Sequence, residues 1–280
     1  MSQQSPTKYF FPAEWHRQKA IQLTWPHEAT DWRPYLETIN ETFVALAREI
    51  TMREELIVAT PHPSEVKELL ADKLGETAME RVNVQACPTN DTWARDHGAL
   101  TLLPRNGEGE PLLLDYKFNG WGEKFPWKLD NAISSRLFAQ GALQGQMRNC
   151  NDFVLEGGSI ETDGKGTLLT TSCCLLAPHR NQPMTQAQIE QRLKDDFCVD
   201  RVLWLDHGHL DGDDTDGHID TLARFAPDDT LLYVGCDDTA DSQYGVLKAM
   251  EEQLRSMRTK DVKAYQLLKL PTPHPIYDDG

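Results

Sequence analysis

Basic residues are the scarce class in this chain: 28 lysines and arginines stand against 44 aspartates and glutamates in 280 residues, a formal net charge of −16. Such a surface repels phosphate, so nucleic acid is not an expected partner, whereas small cations are favoured ligands. Long apolar runs are also missing. None approaches the ~20 residues that a membrane span requires, and the opening MSQQSPTKYFFPAEW has no apolar core of a signal peptide. No membrane partner is expected. The cysteines Cys87, Cys150, Cys173, Cys174, Cys198 and Cys236 contain no CxxC pair and form no small secreted framework. They are expected to be reduced, mostly buried thiols of a cytoplasmic protein. Against these absences stands an apolar content of 39%, enough for the core of one large domain or two small ones.

The most informative stretch is Trp204–Phe225, WLDHGHLDGDDTDGHIDTLARF. An apolar run, Val202–Leu205, enters it, and an alternating run, Ile219–Phe225, leaves it. Between them lie Asp206, Asp211, Asp213, Asp214, Asp216 and Asp220, with His207, His209 and His218. The pattern predicts a polar loop between two strands, with Gly208, Gly212 and Gly217 supplying unusual backbone angles. A solvated acidic turn accounts for much of this. His218-Ile219-Asp220 asks for more, because side chains two apart on a strand share a face and would bring an imidazole to a carboxylate. That pair suits proton transfer on a cationic substrate.

Along the chain, Asp31 is expected to cap a helix whose apolar face is Leu36, Ile39, Phe43, Leu46 and Ile50. Strand Leu56–Ala59 follows, then a helix from Ser64 to Gly75, and a strand about Val82 and Val84. Cys87–Gly98 is expected to be a loop before strands Leu100–Leu103 and Leu112–Tyr116. Later helices start near 129, 185 (capped by Thr185) and 241, an offset of 56. Strands are expected at Phe153–Leu155, Ser159–Thr162, Thr167–Thr171, Arg201–Leu205, Leu231–Val234 and Tyr265–Leu270, and the chain ends in PTPHPIYDDG. Asp96, Glu156 and His218, ahead of the paired strands, stand 60 and 62 residues apart. A fixed offset in a strand–strand–helix–strand pattern predicts a radial array of α/β units whose equivalent loops converge. A doubly wound sheet is the alternative.

Three further clusters lie at those loops. Trp93-Ala94-Arg95-Asp96-His97-Gly98 sets an indole and a carboxylate three apart, suited to stacking on and pairing with a planar cation; a surface turn with Arg95 in a salt bridge is the plainer account. Glu156-Gly157-Gly158 puts a carboxylate at a strand end where glycines allow close backbone approach, or marks an ordinary bulge. Cys173-Cys174 lies in an apolar stretch and is expected to be buried and inert. His207-Gly208-His209-Leu210-Asp211 matches the HxHxD spacing of zinc hydrolases, though that family has histidine where Gly212 stands. An EF-hand is excluded, since counting from Asp211 places Asp216 where glycine belongs and Leu222 where glutamate belongs.

FPAEWHRQKAIQLTWPH, DTWARDHG, EGGSIETDGKGTLLTTSCCLL followed by RN, and GDDTDGHIDTLARF together resemble the agmatine deiminase family, which includes the Porphyromonas-type peptidyl-arginine deiminases. The resemblance runs in order from about Phe11 to Gly280. It implies the five-bladed α/β propeller (pentein) of the guanidino-group-modifying superfamily, built from repeated ββαβ units in a single catalytic domain over residues 1–280, with about four blades present. It implies no cofactor, no metal, and a small cationic guanidino substrate. In that family a cysteine thiolate attacks the guanidinium carbon, ammonia leaves, and water releases a ureido product. By motif, His218 resembles the general acid and base, and Glu156 the carboxylate that orients it. Asp96 and Asp220 resemble the pair that grips the guanidinium, and Trp93 the pocket tryptophan. Asp213 and Asp214 are candidates for the distal amine of agmatine.

The family's nucleophile sits in a GxxHC-type motif near its C-terminus, and no such motif occurs in these 280 residues. The expectation is therefore a chain that ends before the last blade, lacks the nucleophile, and tends to associate with copies of itself. A guanidinium-binding protein without catalysis is the alternative from another class.

Overall fold

The computed structural model describes residues 8–272. The chain divides into two compact units, one spanning His16–Gly157 and one joining the chain up to Trp15 with the part from Gly158 onward. The first strand, β1 (Tyr9–Phe10), belongs to the latter.

In the His16–Gly157 unit, β2 (Ala20–Thr24), β3 (Glu55–Thr60) and β4 (Val82–Ala86) form a wholly parallel sheet in the order β2-β3-β4. Five consecutive residues of β3, Leu56 to Thr60, are buried, as expected of a parallel strand covered on both faces. Helices Leu36–Thr51 and Pro63–Leu74 make the two crossovers. The first packs through Phe43, Val44, Ala47 and Ile50, with Trp25 edge-on to Phe43 at 5.4 Å. Leu46, expected on that face, is 44% exposed. The buried stripe follows positions 43, 44, 47 and 50, which Val44 and Ala47 complete instead. No Asp31 cap forms; a 3-10 turn, Arg33–Tyr35, precedes the helix. Pro63, not Ser64, opens the second helix, a position where its missing N–H costs nothing, and Gly75 closes it at φ 79°.

The same unit continues with β5 (Leu100–Pro104), β6 (Leu112–Lys117) and β7 (Gln146–Val154). β5 runs antiparallel to β6, and β7, after helix Ile133–Ala139, runs parallel to β6. β7 begins seven residues before the expected strand at Phe153, because its polar QMRN opening hides it from an apolar pattern.

The other unit repeats this plan twice. β8 (Ile160–Thr162) pairs antiparallel with β9 (Thr167–Thr171), and after helix Gln186–Phe197, β10 (Arg201–Leu205) lies parallel to β9. β11 (Ala223–Ala226) pairs antiparallel with β12 (Thr230–Gly235), and after helix Tyr244–Ser256, β13 (Gln266–Pro271) lies parallel to β12. The three helices begin at Ile133, Gln186 and Tyr244, so the expected spacing reflects a ββαβ unit used three times. Thr185 caps its helix in a reciprocal box with Gln188, as its sequence predicts. Leu169, Leu205, Phe225, Leu231, Leu247, Met250 and Leu254 form a shared core. Among the described residues no helix is long and apolar enough to cross a membrane. The terminal PTPHPIYDDG lies mostly outside the described residues.

Candidate active site

Within the His16–Gly157 unit, the segment after β4 is anchored before it reaches its functional side chains. Asp130 accepts the backbone N–H groups of Asn90 (2.6 Å) and Asp91 (3.1 Å), and Asn90 Oδ1 accepts the N–H of Leu129 (2.8 Å). Burial pushes the Asp130 carboxyl up to about 7 in spite of these donors. Trp93 follows, its indole N–H donating to Asp91 Oδ2 at 3.1 Å and its ring 6.2 Å from Trp32. It is 46% exposed.

Cys87–Gly98, expected to be a loop, contains one helical turn, Ala94–His97. That turn carries Asp96 and His97 inward, and both are buried. Trp121 donates its indole N–H to Asp96 Oδ2 at 3.1 Å and meets the Trp93 ring edge-on at 6.3 Å. Trp121 sits in a left-handed turn. Gly120, Trp121, Gly122 and Glu123 have φ of 67°, 55°, 83° and 68°. A side-chain-bearing residue in this conformation costs ~1–2 kcal/mol, because Cβ crowds the next carbonyl. Asn119 holds the turn, its Oδ1 accepting from Gly122 N (3.0 Å) and its carbonyl from Glu123 N (2.9 Å).

Glu156 is fully buried just beyond β7. Its neighbour Gly157 lies so close to the Arg95 carbonyl that any Cβ there would collide with it. The EGG and RDHG motifs are thus in backbone contact, which is what the glycine is for.

In the other unit, the acidic loop is ordered by its own aspartates. Asp213 accepts from the Thr215 N–H (3.0 Å) and hydroxyl (2.5 Å) and from Gly217 N (2.6 Å), and Thr215 Oγ1 accepts from His218 N (3.0 Å). Arg180, its side chain buried, donates to Asp216 Oδ2 (2.8 Å) and to the Thr215 carbonyl (3.1 Å). Asp213 is therefore committed to its own loop.

His218, also buried, precedes a helical turn, Ile219–Leu222, where a strand was expected. Ile219 and Leu222 are both buried at helical spacing, and the Thr221 hydroxyl bonds the His218 carbonyl at 2.9 Å, so the chain coils before β11 begins. The shared-strand-face argument for His218 and Asp220 therefore does not hold. The two nonetheless meet, with Nδ1 and Oδ1 4.0 Å apart. Cys174 Sγ lies within 4.8 Å of a His218 ring nitrogen. Cys174 is buried, but Cys173 is exposed, contrary to expectation, and Cys198 and Cys236 are half-buried. None of the six cysteines forms a disulfide.

His207, His209 and Asp211 do not converge into a group of metal ligands among the described residues; the Asp211 carboxylate meets the Ser242 hydroxyl at 3.3 Å and its N–H meets Gln243. A different trio, His27, Glu28 and His62, does come together. There His27 Nε2 is engaged by Thr89 Oγ1 (2.9 Å) and Nδ1 accepts from Ala29 N (3.3 Å), while His62 Nε2 faces Glu28 Oε1 at 3.2 Å. Both nitrogens of His27 are occupied, so a hydrogen-bonded histidine beside a His62–Glu28 contact describes it.

Sequence reasoning passed over Trp121, Trp32 and Arg180. Two glycines flanking a tryptophan in NGWG was the available signal for the first, and the RN following the cysteine pair for the third.

Repeated ββαβ units with acidic, imidazole and indole groups at their loops define a mixed α/β protein. A solved structure of an arginine deiminase from Porphyromonas gingivalis, so titled as "putative", superimposes with a TM-score of 0.89 at 45% identity, over 97% of this chain and 79% of that one. The substrate-bound agmatine deiminase of C. jejuni, a cysteine-to-serine variant, gives 0.84 at 36% identity over 97% of this chain and 76% of its own. A protein of Shewanella baltica named "Putative agmatine deiminase" is 34% identical over 96% of this chain and 71% of its own length. The Porphyromonas-type peptidyl-arginine deiminase profile matches residues 10–280, and the chain belongs to that family.

Proposed function

We propose that this chain carries the guanidinium-binding and proton-transfer groups of an agmatine deiminase, which hydrolyses agmatine to N-carbamoylputrescine and ammonia. The observation that carries this is the match of nearly the whole chain to relatives and structures named agmatine deiminase, one of them with substrate bound. Asp96 and Asp220 accept hydrogen bonds from the guanidinium, which holds it planar and cationic, with Trp93 against it. A cysteine thiolate adds to the guanidinium carbon, and ammonia departs with a proton supplied by His218. Water then adds to the amidino thioether, His218 takes its proton, and the thiol leaves as the ureido product forms. Glu156 orients His218 in this scheme. These roles follow the family motifs, and the burial of Asp96, Glu156 and His218 agrees with them: charge-assisted bonds are worth most away from water.

The nucleophile is not among the six cysteines in this proposal, because none stands in the family's GxxHC context. Burial pushes the Cys87 thiol up, away from a reactive thiolate. Deimination of peptidyl arginine is the second reading, favoured by the family's name and by the 37% identity to a solved protein named "putative peptidyl-arginine deiminase". The test is ammonia release from agmatine and from an N-acylated arginine peptide by the chain continued with a relative's C-terminal segment. Preference for agmatine by kcat/KM is expected; preference for the peptide would install the second reading.

A further inference from the structure

Trp121 is, with Glu123, one of two side-chain-bearing residues strained in the left-handed turn Gly120–Glu123, and its indole N–H bonds Asp96. Strain of this kind persists only where the surroundings over-determine it. Here they do. A Cβ at Gly120 would collide with the Phe125 carbonyl, so only glycine fits. Asn119 closes the turn from within, and the indole is held edge-to-face by Phe118 (5.0 Å) and Phe125 (5.5 Å). The fold thus fixes the direction of one N–H, and that N–H ends on Asp96 Oδ2.

Resting on the deimination proposed above, we infer that Trp121 is a positioning residue: held by the left-handed turn Gly120–Glu123, it sets the plane of the Asp96 carboxylate and the tilt of the Trp93 ring for a guanidinium. The chemistry suits the task. An indole N–H is a neutral donor, so it orients a carboxylate without cancelling the charge that a cationic substrate needs, as a lysine or arginine in its place would. Its ring also stands T-shaped against Trp93, so one side chain meets both a charged and a stacking partner.

The test uses the 280-residue chain with isotope-labelled aspartate carboxyls and tryptophan indoles, followed by NMR across the carboxylate range. In the wild type the Trp121 indole N–H resonance should track the Asp96 titration, and in Asp96→Asn this dependence should vanish. In Trp121→Phe, which keeps an aromatic ring but no donor, the Asp96 midpoint should rise by about one unit, since a donor to the ionised form has been lost. A purely structural role would lower the melting temperature and leave that midpoint in place. An indole resonance insensitive to Asp96→Asn, or an unchanged Asp96 midpoint in folded Trp121→Phe, overturns the inference; if Trp121→Phe does not fold, the wild-type comparison decides alone. Agmatine titrated into the chain continued with a relative's C-terminal segment separates the two proposals. About tenfold weaker binding in Trp121→Phe is expected, and equal binding contradicts positioning, whereas a wild type that does not bind at all contradicts deimination instead.

Discussion

His97 lies one residue beyond Asp96, fully buried, with Nε2 3.2 Å from Thr24 Oγ1. Burial lowers its pKa to about 4. The folded chain therefore holds it neutral, and the stability this gives is present above the unfolded value near 6.5 and is lost as pH falls toward 4. Between those limits the loss is about 1.4 kcal/mol per pH unit. Urea denaturation from neutral to mildly acidic pH should show this slope in the wild type and a shallower one in His97→Gln; parallel curves would contradict it. Among the residues proposed to act on substrate, the expected effects divide by role. In a catalytically complete enzyme, His218→Ala and Glu156→Gln should chiefly depress kcat. Asp96→Ala and Asp220→Ala should also raise KM, each losing charge-assisted hydrogen bonds worth about 1.5–3 kcal/mol. Wild-type kinetics for Asp96→Ala on agmatine would remove it from the site.

At the level of elements, Gly157 is the tightest joint between two motifs. Gly157→Ala forces a methyl against the Arg95 carbonyl and should destabilise the fold by about 1–3 kcal/mol, as overpacking does. It should also shift the Ala94–His97 turn, which Trp93 fluorescence would report; an unaltered melting curve would show that the backbone gives way. Thr185→Ala, on an exposed helix start, should cost about 1 kcal/mol and leave the Trp93 signal alone. These joints also mark what the sequence made legible. β9, β10 and the Thr185-capped helix were readable to within a residue, because an apolar strand run and a capping box are local signals. His218 and Asp96 were readable as chemistry, but the first precedes and the second lies on a helical turn four residues long, too short for periodicity to register. Trp121 was readable only as a glycine-flanked tryptophan in NGWG, since its bond to Asp96, 25 residues away, leaves no local signal.

On the scale of the whole molecule, β13 lies at the edge of its sheet among the described residues. Leu268 and Leu270 on it are 55% and 51% exposed. An exposed apolar edge strand is a template for pairing with another chain. The 280-residue chain should therefore self-associate at micromolar concentration by size-exclusion chromatography with light scattering, and Leu268→Lys with Leu270→Lys should shift it toward monomer; a monodisperse monomer in the wild type would contradict this. We propose that these residues bind a guanidino substrate and pass protons for a thiol that none of the six cysteines present supplies. The test is ammonia release from agmatine, measured for the 280-residue chain and for the same chain continued with the C-terminal segment of the unsubstituted C. jejuni agmatine deiminase. No ammonia above background is expected from the first, and ammonia with an equal amount of N-carbamoylputrescine from the second. Ammonia from the 280-residue chain at an enzymatic rate would contradict it, and would place the nucleophile among Cys87, Cys173, Cys174 and Cys236.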